Sequence, residues 1–240
     1  MSRWNVKVKG QSPESALGQN YAQHIRQRLV HNEGGQPRNG MDIPKDLKEV
    51  MEGARELMKA KRLDEALKAY EAILERYPEA ALAYVGIGNI HASRGEYDDA
   101  LEYYSGALHI RKNLPPALIM SGNVYVKQGL LDKALEKYKE ALEINPGLGI
   151  AQLSISRIYV KLGKFNEAID CLNSALKHNP QLEEARLALA GIYQRMGDTD
   201  AALKELAGLV IRRPDSPQVQ FQYAKLLVAR EEFKQAIDAC

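Results

Sequence analysis

One residue pattern recurs every 34 positions through most of this 240-residue chain. Alanine returns six times at that interval, and glycine returns four times at a second place within it. The residues at these two places are Ala66, Ala100, Ala134, Ala168, Ala202 and Ala236, and Gly95, Gly129, Gly163 and Gly197. A fixed period of this length is typical of stacked structural units, none of which can bury its apolar face alone. The pattern therefore predicts one continuous core built by stacking.

Residues 115–148 show what each unit contains, because two series of apolar or small residues recur there at helical spacing on either side of Gly129. The series are Leu118, Gly122 and Tyr125, then Leu131, Ala134, Leu135, Tyr138, Ala141 and Leu142. Gly129 suits the left-handed backbone that ends a helix. The unit is predicted to be two helices joined by a glycine turn, with Gly122 and Ala134 small enough to let the helices approach closely.

This unit resembles the tetratricopeptide repeat, a 34-residue helix-turn-helix. The resemblance covers residues 47–240 and rests on Gly122, Tyr125, Gly129, Ala134, Tyr138, Ala141 and Pro146. It implies an all-α fold, a right-handed α-solenoid of stacked helix-turn-helix repeats. The repeats, numbered one to six, would be 47–80, 81–114, 115–148, 149–182, 183–216 and a partial 217–240.

Two repeats depart from the pattern. In repeat one, Lys61 replaces the turn glycine, and repeat six stops at Cys240 partway through its second helix. The end face of repeat six is expected to be covered by further chain or by a partner.

The first 45 residues form a separate basic arm. They carry seven basic and three acidic side chains, a net of +4, whereas the remaining 195 residues carry 26 basic and 28 acidic ones, a net of −2. An amphipathic helix is predicted near 13–31 and a Gly- and Pro-containing linker at 32–43. The apolar stripe of that helix is Leu17, Tyr21, Ile25 and Leu29. The helix is expected to cap the exposed first repeat or to dock on a partner, and the scarcity of acids before Glu33 also allows a transit peptide.

Signals for catalysis, cofactors and metals are absent from the sequence. The two cysteines give neither a disulfide framework nor a metal-ligand spacing, and the five histidines form no HExxH or paired pattern. His91 takes the place of a tyrosine in repeats three to five and is expected to be a packed, hydrogen-bonded side chain. The faintly acidic repeats argue against nucleic acid as a partner. With no secretory signal or membrane-spanning run, a cytoplasmic protein without cofactor or metal is expected.

The family resemblance also implies a binding surface. In this family, positions 2, 5, 9, 12 and 13 of the first helix line a concave groove. Of the 30 side chains at these positions, eight are basic and one is acidic, and position 5 is apolar throughout. The predicted groove residues are Arg55, Lys59, Val85, Asn89, Ile119, Asn123, Lys127, Leu153, Arg157, Lys161, Leu187, Arg195 and Lys225. A positive groove with an apolar seam is expected to bind an acidic and apolar peptide or helix of another protein, or of a second copy of this chain.

The main functional expectation is a non-enzymatic scaffold that holds such a segment in the groove of repeats two to five. Chaperone-tail-binding members of the family carry Lys at position 5, and no repeat does so here, which argues against that role. Two alternatives stay open. The chain could be the repeat portion of a larger enzyme, for example a glycosyltransferase-like one, or an assembly factor of a membrane complex whose basic arm meets anionic lipid or a membrane subunit.

Overall fold

The computed structural model describes residues 45–233 and residue 236, and within that part the regular structure is α-helical. Eleven helices are described there. They are α1 (Lys45–Lys59), α2 (Leu63–Arg76), α3 (Ala81–Arg94), α4 (Tyr97–Ile110), α5 (Pro115–Lys127), α6 (Leu131–Ile144), α7 (Gly149–Lys161), α8 (Phe165–His178), α9 (Glu183–Met196), α10 (Thr199–Arg212) and α11 (Pro217–Ala229). The chain divides into two compact units, residues 1–112 and residues 113–240.

Each unit is built from consecutive helical pairs. In residues 1–112, α1 packs on α2, α2 on α3, and α3 on α4. In residues 113–240, each helix from α5 to α11 packs on the next one along the chain, and α7 also contacts α9. The all-α helix-turn-helix architecture predicted from the 34-residue period is therefore confirmed.

The turn glycines adopt the backbone conformation expected of them. Gly129 has a φ of +78°, and the other three glycines of its series also have positive φ. Lys61 and Glu231 hold the same place in repeats one and six, and they adopt φ values of 59° and 62°. The stacking of the helical pairs thus demands the left-handed turn even where the sequence offers no glycine.

The alanines of the period form the centre of the packing. All six are buried, and the first five are completely inaccessible to solvent. Gly122 is the point where α5 and α6 approach closely, because a Cβ there would lie 2.6 Å from Cε1 of Tyr138. Small side chains at these places therefore set the helix separation, as the sequence pattern predicts.

Several sequence predictions lie outside the described residues. These are the helix near 13–31, the linker at 32–43 and most of the second helix of repeat six. In the part of the chain that is described, no helix is both long enough and apolar enough to cross a membrane.

Candidate functional site

The predicted groove residues of the second unit lie on the first helices of its pairs, α5, α7, α9 and α11. All five basic side chains among them are exposed, and they form no ion pair within the described residues. They are Lys127, Arg157, Lys161, Arg195 and Lys225. Glu184 is the one acidic residue at a groove position of this unit. The face therefore carries an excess of positive charge that is available to a ligand.

A polar cluster joins α5, α6 and α7 on this face. The Tyr138 hydroxyl donates to Oδ1 of Asn123 at 2.7 Å. Burial raises the pKa of Tyr138, while a hydrogen bond with Ser154 and the positive charge of Arg157 act in the opposite direction. Tyr138 thus interacts with predicted groove side chains of both repeat three and repeat four.

The groups that this cluster offers to a ligand are hydrogen-bond donors. Because the Asn123 carbonyl oxygen accepts from Tyr138, its amide nitrogen is directed elsewhere, and its only close partner in the described structure is Sδ of Met120 at 3.7 Å. Arg157 and Lys161 carry N–H donors and no acceptor. A ligand that matches this face must supply acceptors, which are carboxylates and backbone carbonyls.

The apolar seam predicted at position 5 is mostly packed inside the unit. Ile119 is buried, and Leu153 is only 8 % exposed and belongs to a core cluster with residues of α8 and α9. Leu187 is partly buried against the core shared by α9, α10 and α11. These three side chains position the groove helices and offer little free apolar surface.

Exposed apolar side chains lie instead at groove positions outside the predicted site residues. Ile150 is 54 % exposed, Phe221 is 68 % exposed and Val228 is 50 % exposed. Phe221, Lys225 and Val228 recur at helical spacing on α11, so apolar and basic side chains alternate along one face. The position of a residue within the repeat predicts whether it faces the groove, but its exposure depends on the surrounding packing.

In the first unit, the predicted groove cations of α1 form ion pairs. Arg55 pairs with Glu52 at 3.3 Å, and Nζ of Lys59 lies 2.5 Å from Oε1 of Glu56. Both pairs lie within α1, so the two groove cations are already neutralised by their own helix.

The two predicted groove residues of α3 are also engaged. Val85 is buried. Asn89 accepts a hydrogen bond at 2.8 Å from the Tyr104 hydroxyl, which repeats the Asn123 and Tyr138 arrangement. The first unit therefore presents fewer free charged groups on its predicted groove face than the second.

His91 in repeat two is packed and hydrogen-bonded, as the sequence predicts. Its Nδ1 lies 2.7 Å from Oε2 of Glu96. Its ring stacks on Tyr103 with a centroid separation of 5.1 Å and an interplanar angle of 12°.

Several solved structures have folds similar to that of this chain. PilF of Pseudomonas aeruginosa is 15 % identical, with a TM-score of 0.69 over 80 % of this chain and 88 % of that one. A tetratricopeptide repeat protein of Parabacteroides merdae is 21 % identical, with a TM-score of 0.61 over 80 % of this chain and 77 % of that one. YrrB, a TPR protein with an unusual peptide-binding site, is 21 % identical, with a TM-score of 0.53 over 88 % of this chain and 99 % of that one. At these identities the likeness concerns the fold.

No curated protein sequence matches the chain. Two family models, each described as tetratricopeptide repeat, do match it. One covers residues 51–117, and the other covers residues 125–190 and 163–226. Together they span well over half of the sequence, and eight of the eleven described helices lie entirely within the matched residues. The chain therefore belongs to the tetratricopeptide repeat family.

Proposed function

We propose that this protein is an interaction scaffold whose second unit holds an acidic and apolar segment of a partner protein on the groove face of α5, α7, α9 and α11. Tetratricopeptide repeats generally mediate protein–protein interaction, and proteins built from them are generally non-enzymatic scaffolds. The observation that carries the finer proposal is the row of five exposed cations on the first helices of one unit, none of which forms an ion pair with another described residue.

The charge of this face selects the charge of the segment. Lys127, Arg157 and Lys161 lie on neighbouring groove helices around the donor cluster of Asn123 and Tyr138. Carboxylates on the segment would pair with the cations, and the partly buried Asn123 amide would donate to a backbone carbonyl. A basic segment would meet repulsion, so the same face also rejects the wrong partner.

The apolar part of the segment would pack on exposed apolar side chains of the same face. Within the described residues, the large exposed apolar side chains at groove positions of this unit are Phe221 and Val228 on α11 and Ile150 on α7. Burying an exposed side chain of this size contributes about 1.5–3 kcal/mol. The peptide-binding site of YrrB, which shares the fold, supports a role in peptide recognition.

The direct test uses two labelled synthetic helical peptides, one of Glu and Leu and one of Lys and Leu with the same apolar spacing. Fluorescence anisotropy with the full chain should show binding of the Glu/Leu peptide and at least about tenfold weaker binding of the Lys/Leu peptide. Equal affinity for the two peptides would contradict the proposal, because the face would then recognise apolar spacing alone.

The groove itself is tested by reversing two of its cations, Arg157→Glu together with Lys161→Glu. The two residues lie four apart on α7 and are exposed, so the variant should keep its circular dichroism spectrum and melting temperature while the Glu/Leu peptide loses at least about tenfold in affinity. The matched control is Lys139→Glu with Lys177→Glu, which makes the same change in net charge at exposed positions of the second helices α6 and α8. A similar loss of affinity in the control would show that net charge, and not the groove, governs binding.

A further inference from the structure

Three side chains of repeat two that could each ligate a metal converge where α3 turns into α4. His91 lies in the last turn of α3, Glu96 precedes α4, and Asp99 lies in the first turn of α4. One ligand atom from each of the three lies within 4.8 Å of the other two. The His91 side chain is only 14 % exposed, and its stacking on Tyr103 holds the ring in place. Glu96 and Asp99 are partly exposed, so the cluster is open to solvent on the carboxylate side.

The helix-turn-helix geometry brings the equivalent positions together in other repeats as well. In repeat three, Nζ of Lys133 lies 5.6 Å from the centroid of the Tyr125 ring. These two residues correspond to Asp99 and His91 one period earlier. Repeat four has Tyr159, Lys164 and Glu167 at the three places. Repeat two is thus the one described repeat in which a histidine and two carboxylates occupy them together.

We propose that His91, Glu96 and Asp99 form a binding site for a divalent transition metal ion of the Zn²⁺ type. One imidazole nitrogen and two carboxylate oxygens are ligands that Zn²⁺ accepts in proteins, and three protein ligands leave a fourth position for water or a partner group. The two carboxylates balance the charge of the ion.

Because the ligand atoms lie within 4.8 Å of one another, side-chain movements of at most about 1.5 Å bring them to the spacing that an ion needs. A tetrahedral ion with bonds of about 2.0–2.2 Å holds its ligand atoms about 3.3 Å apart. The Nδ1 to Oε2 distance is 2.7 Å, that of a hydrogen bond, so the Glu96 carboxylate must move outward by about half an ångström. The ion takes the place of the hydrogen bond between His91 and Glu96, and the neutral imidazole that binds through Nδ1 carries its one proton on Nε2.

Such an ion would cross-link the end of α3 to the start of α4. Because the unfolded chain does not hold the three ligands together, binding would stabilise the folded unit. The site lies on the turn between two helices and not on the groove positions, so it is separate from the proposed peptide-binding face.

The test is Zn²⁺ titration of the full chain, stripped of metal and free of any histidine tag, in competition with a chromophoric chelator. The expected result is one bound Zn²⁺ per chain at micromolar concentration, with an increase in melting temperature. His91→Tyr removes one of the three ligands and should weaken binding by at least about tenfold. A loss of about that size already follows when a residue that only hydrogen-bonds to a metal ligand is changed. Tyrosine is the residue that repeats three to five carry at this place, so the variant should remain folded.

A second variant, Glu96→Gln with Asp99→Asn, removes the two carboxylates without changing side-chain size and should lose binding in the same way. Glu167→Gln, at the place of Asp99 in repeat four, is the control that should bind as the unmodified chain does. Co²⁺ bound in place of Zn²⁺ should show visible d–d bands without a thiolate charge-transfer band, which distinguishes this site from Cys171 or Cys240. Unchanged affinity in both variants, a thiolate band, or no stoichiometric uptake at micromolar Zn²⁺ would overturn the proposal.

Discussion

Gly122 and Gly129 both belong to repeat three, and they are glycine for different physical reasons. A Cβ on Gly122 would lie 2.6 Å from Cε1 of Tyr138, so the requirement there is space between α5 and α6. A Cβ on Gly129 would meet nothing within 4 Å, and the requirement there is the positive φ of +78°. The sequence pattern identifies both positions, but only the structure separates close packing from backbone conformation.

Alanine at the two glycines should therefore have different consequences. Gly122→Ala forces the Tyr138 ring to move and should reduce the free energy of unfolding by about 1–3 kcal/mol. Gly129→Ala adds only the strain of a left-handed residue, about 1–2 kcal/mol. Urea unfolding measures both losses.

Affinity for the Glu/Leu peptide separates the two variants further. Gly122→Ala should weaken peptide binding, because the moved ring no longer orients Asn123. Gly129→Ala should leave the affinity unchanged. If both variants bind the peptide normally, the contact between Tyr138 and Asn123 plays no part in recognition.

At the scale of the element, α1 differs from the inner helices on the face that looks away from α2. Helix α3, which packs on α2, buries Ala83 and Ile90 at the third and tenth positions of its repeat. The same positions of α1 hold Glu49 and Glu56, and both are exposed. Terminal repeats of a solenoid need a polar outer face, and Glu49 and Glu56 make this face of α1 polar.

Placing the corresponding residues of repeat two on α1 should create an exposed apolar face that self-associates. The variant Glu49→Ala with Glu56→Ile is expected to self-associate, because it exposes the kind of apolar face that inner repeats bury. Size-exclusion chromatography with light scattering should show an increase in mass that depends on protein concentration. The control is Glu136→Ala with Glu143→Ile, which makes the same changes at exposed positions of α6. Self-association of both variants to the same degree would mean that general hydrophobicity is the cause.

At the scale of the whole molecule, a formal net charge of +2 conceals an uneven distribution. On the predicted groove face, the cations of α1 are paired with acids of their own helix, whereas those of α5, α7, α9 and α11 form no ion pair with any residue that the structure describes. The two units consequently differ in the charge that they can offer a partner. This difference arises from ion pairing and is not visible in the net charge.

Peptide binding should therefore depend strongly on salt. Raising NaCl from about 50 mM to about 500 mM shortens the screening length from about 14 Å to about 4 Å. The association rate of the Glu/Leu peptide should fall by about tenfold, while the dissociation rate changes much less. Stopped-flow anisotropy gives both rates. A salt effect confined to the dissociation rate would indicate buried ion pairs in place of an exposed charged face.

Much of the fold follows from residue identity at a fixed period. Left-handed turns, buried alanines and helical pairs depend on conformational preferences and on sizes that recur every 34 residues, and these can be read directly along the chain. The same register predicts which side chains face the groove. It cannot predict how much of each remains accessible, because Leu153 is enclosed by residues of α8 and α9 while Phe221 is not enclosed.

The sequence by itself determined the repeat, the family and the basic character of the groove positions, since each is a property of residue type at a given place in the period. Tertiary structure decided which cations are neutralised, which apolar side chains are open and which distant polar groups meet. His91, Glu96 and Asp99 match no linear metal motif, yet their ligand atoms lie within 4.8 Å of one another. The physical reason is that accessibility and ligand geometry depend on how helices pack and on side-chain conformation, whereas the period records only which residues occupy equivalent places.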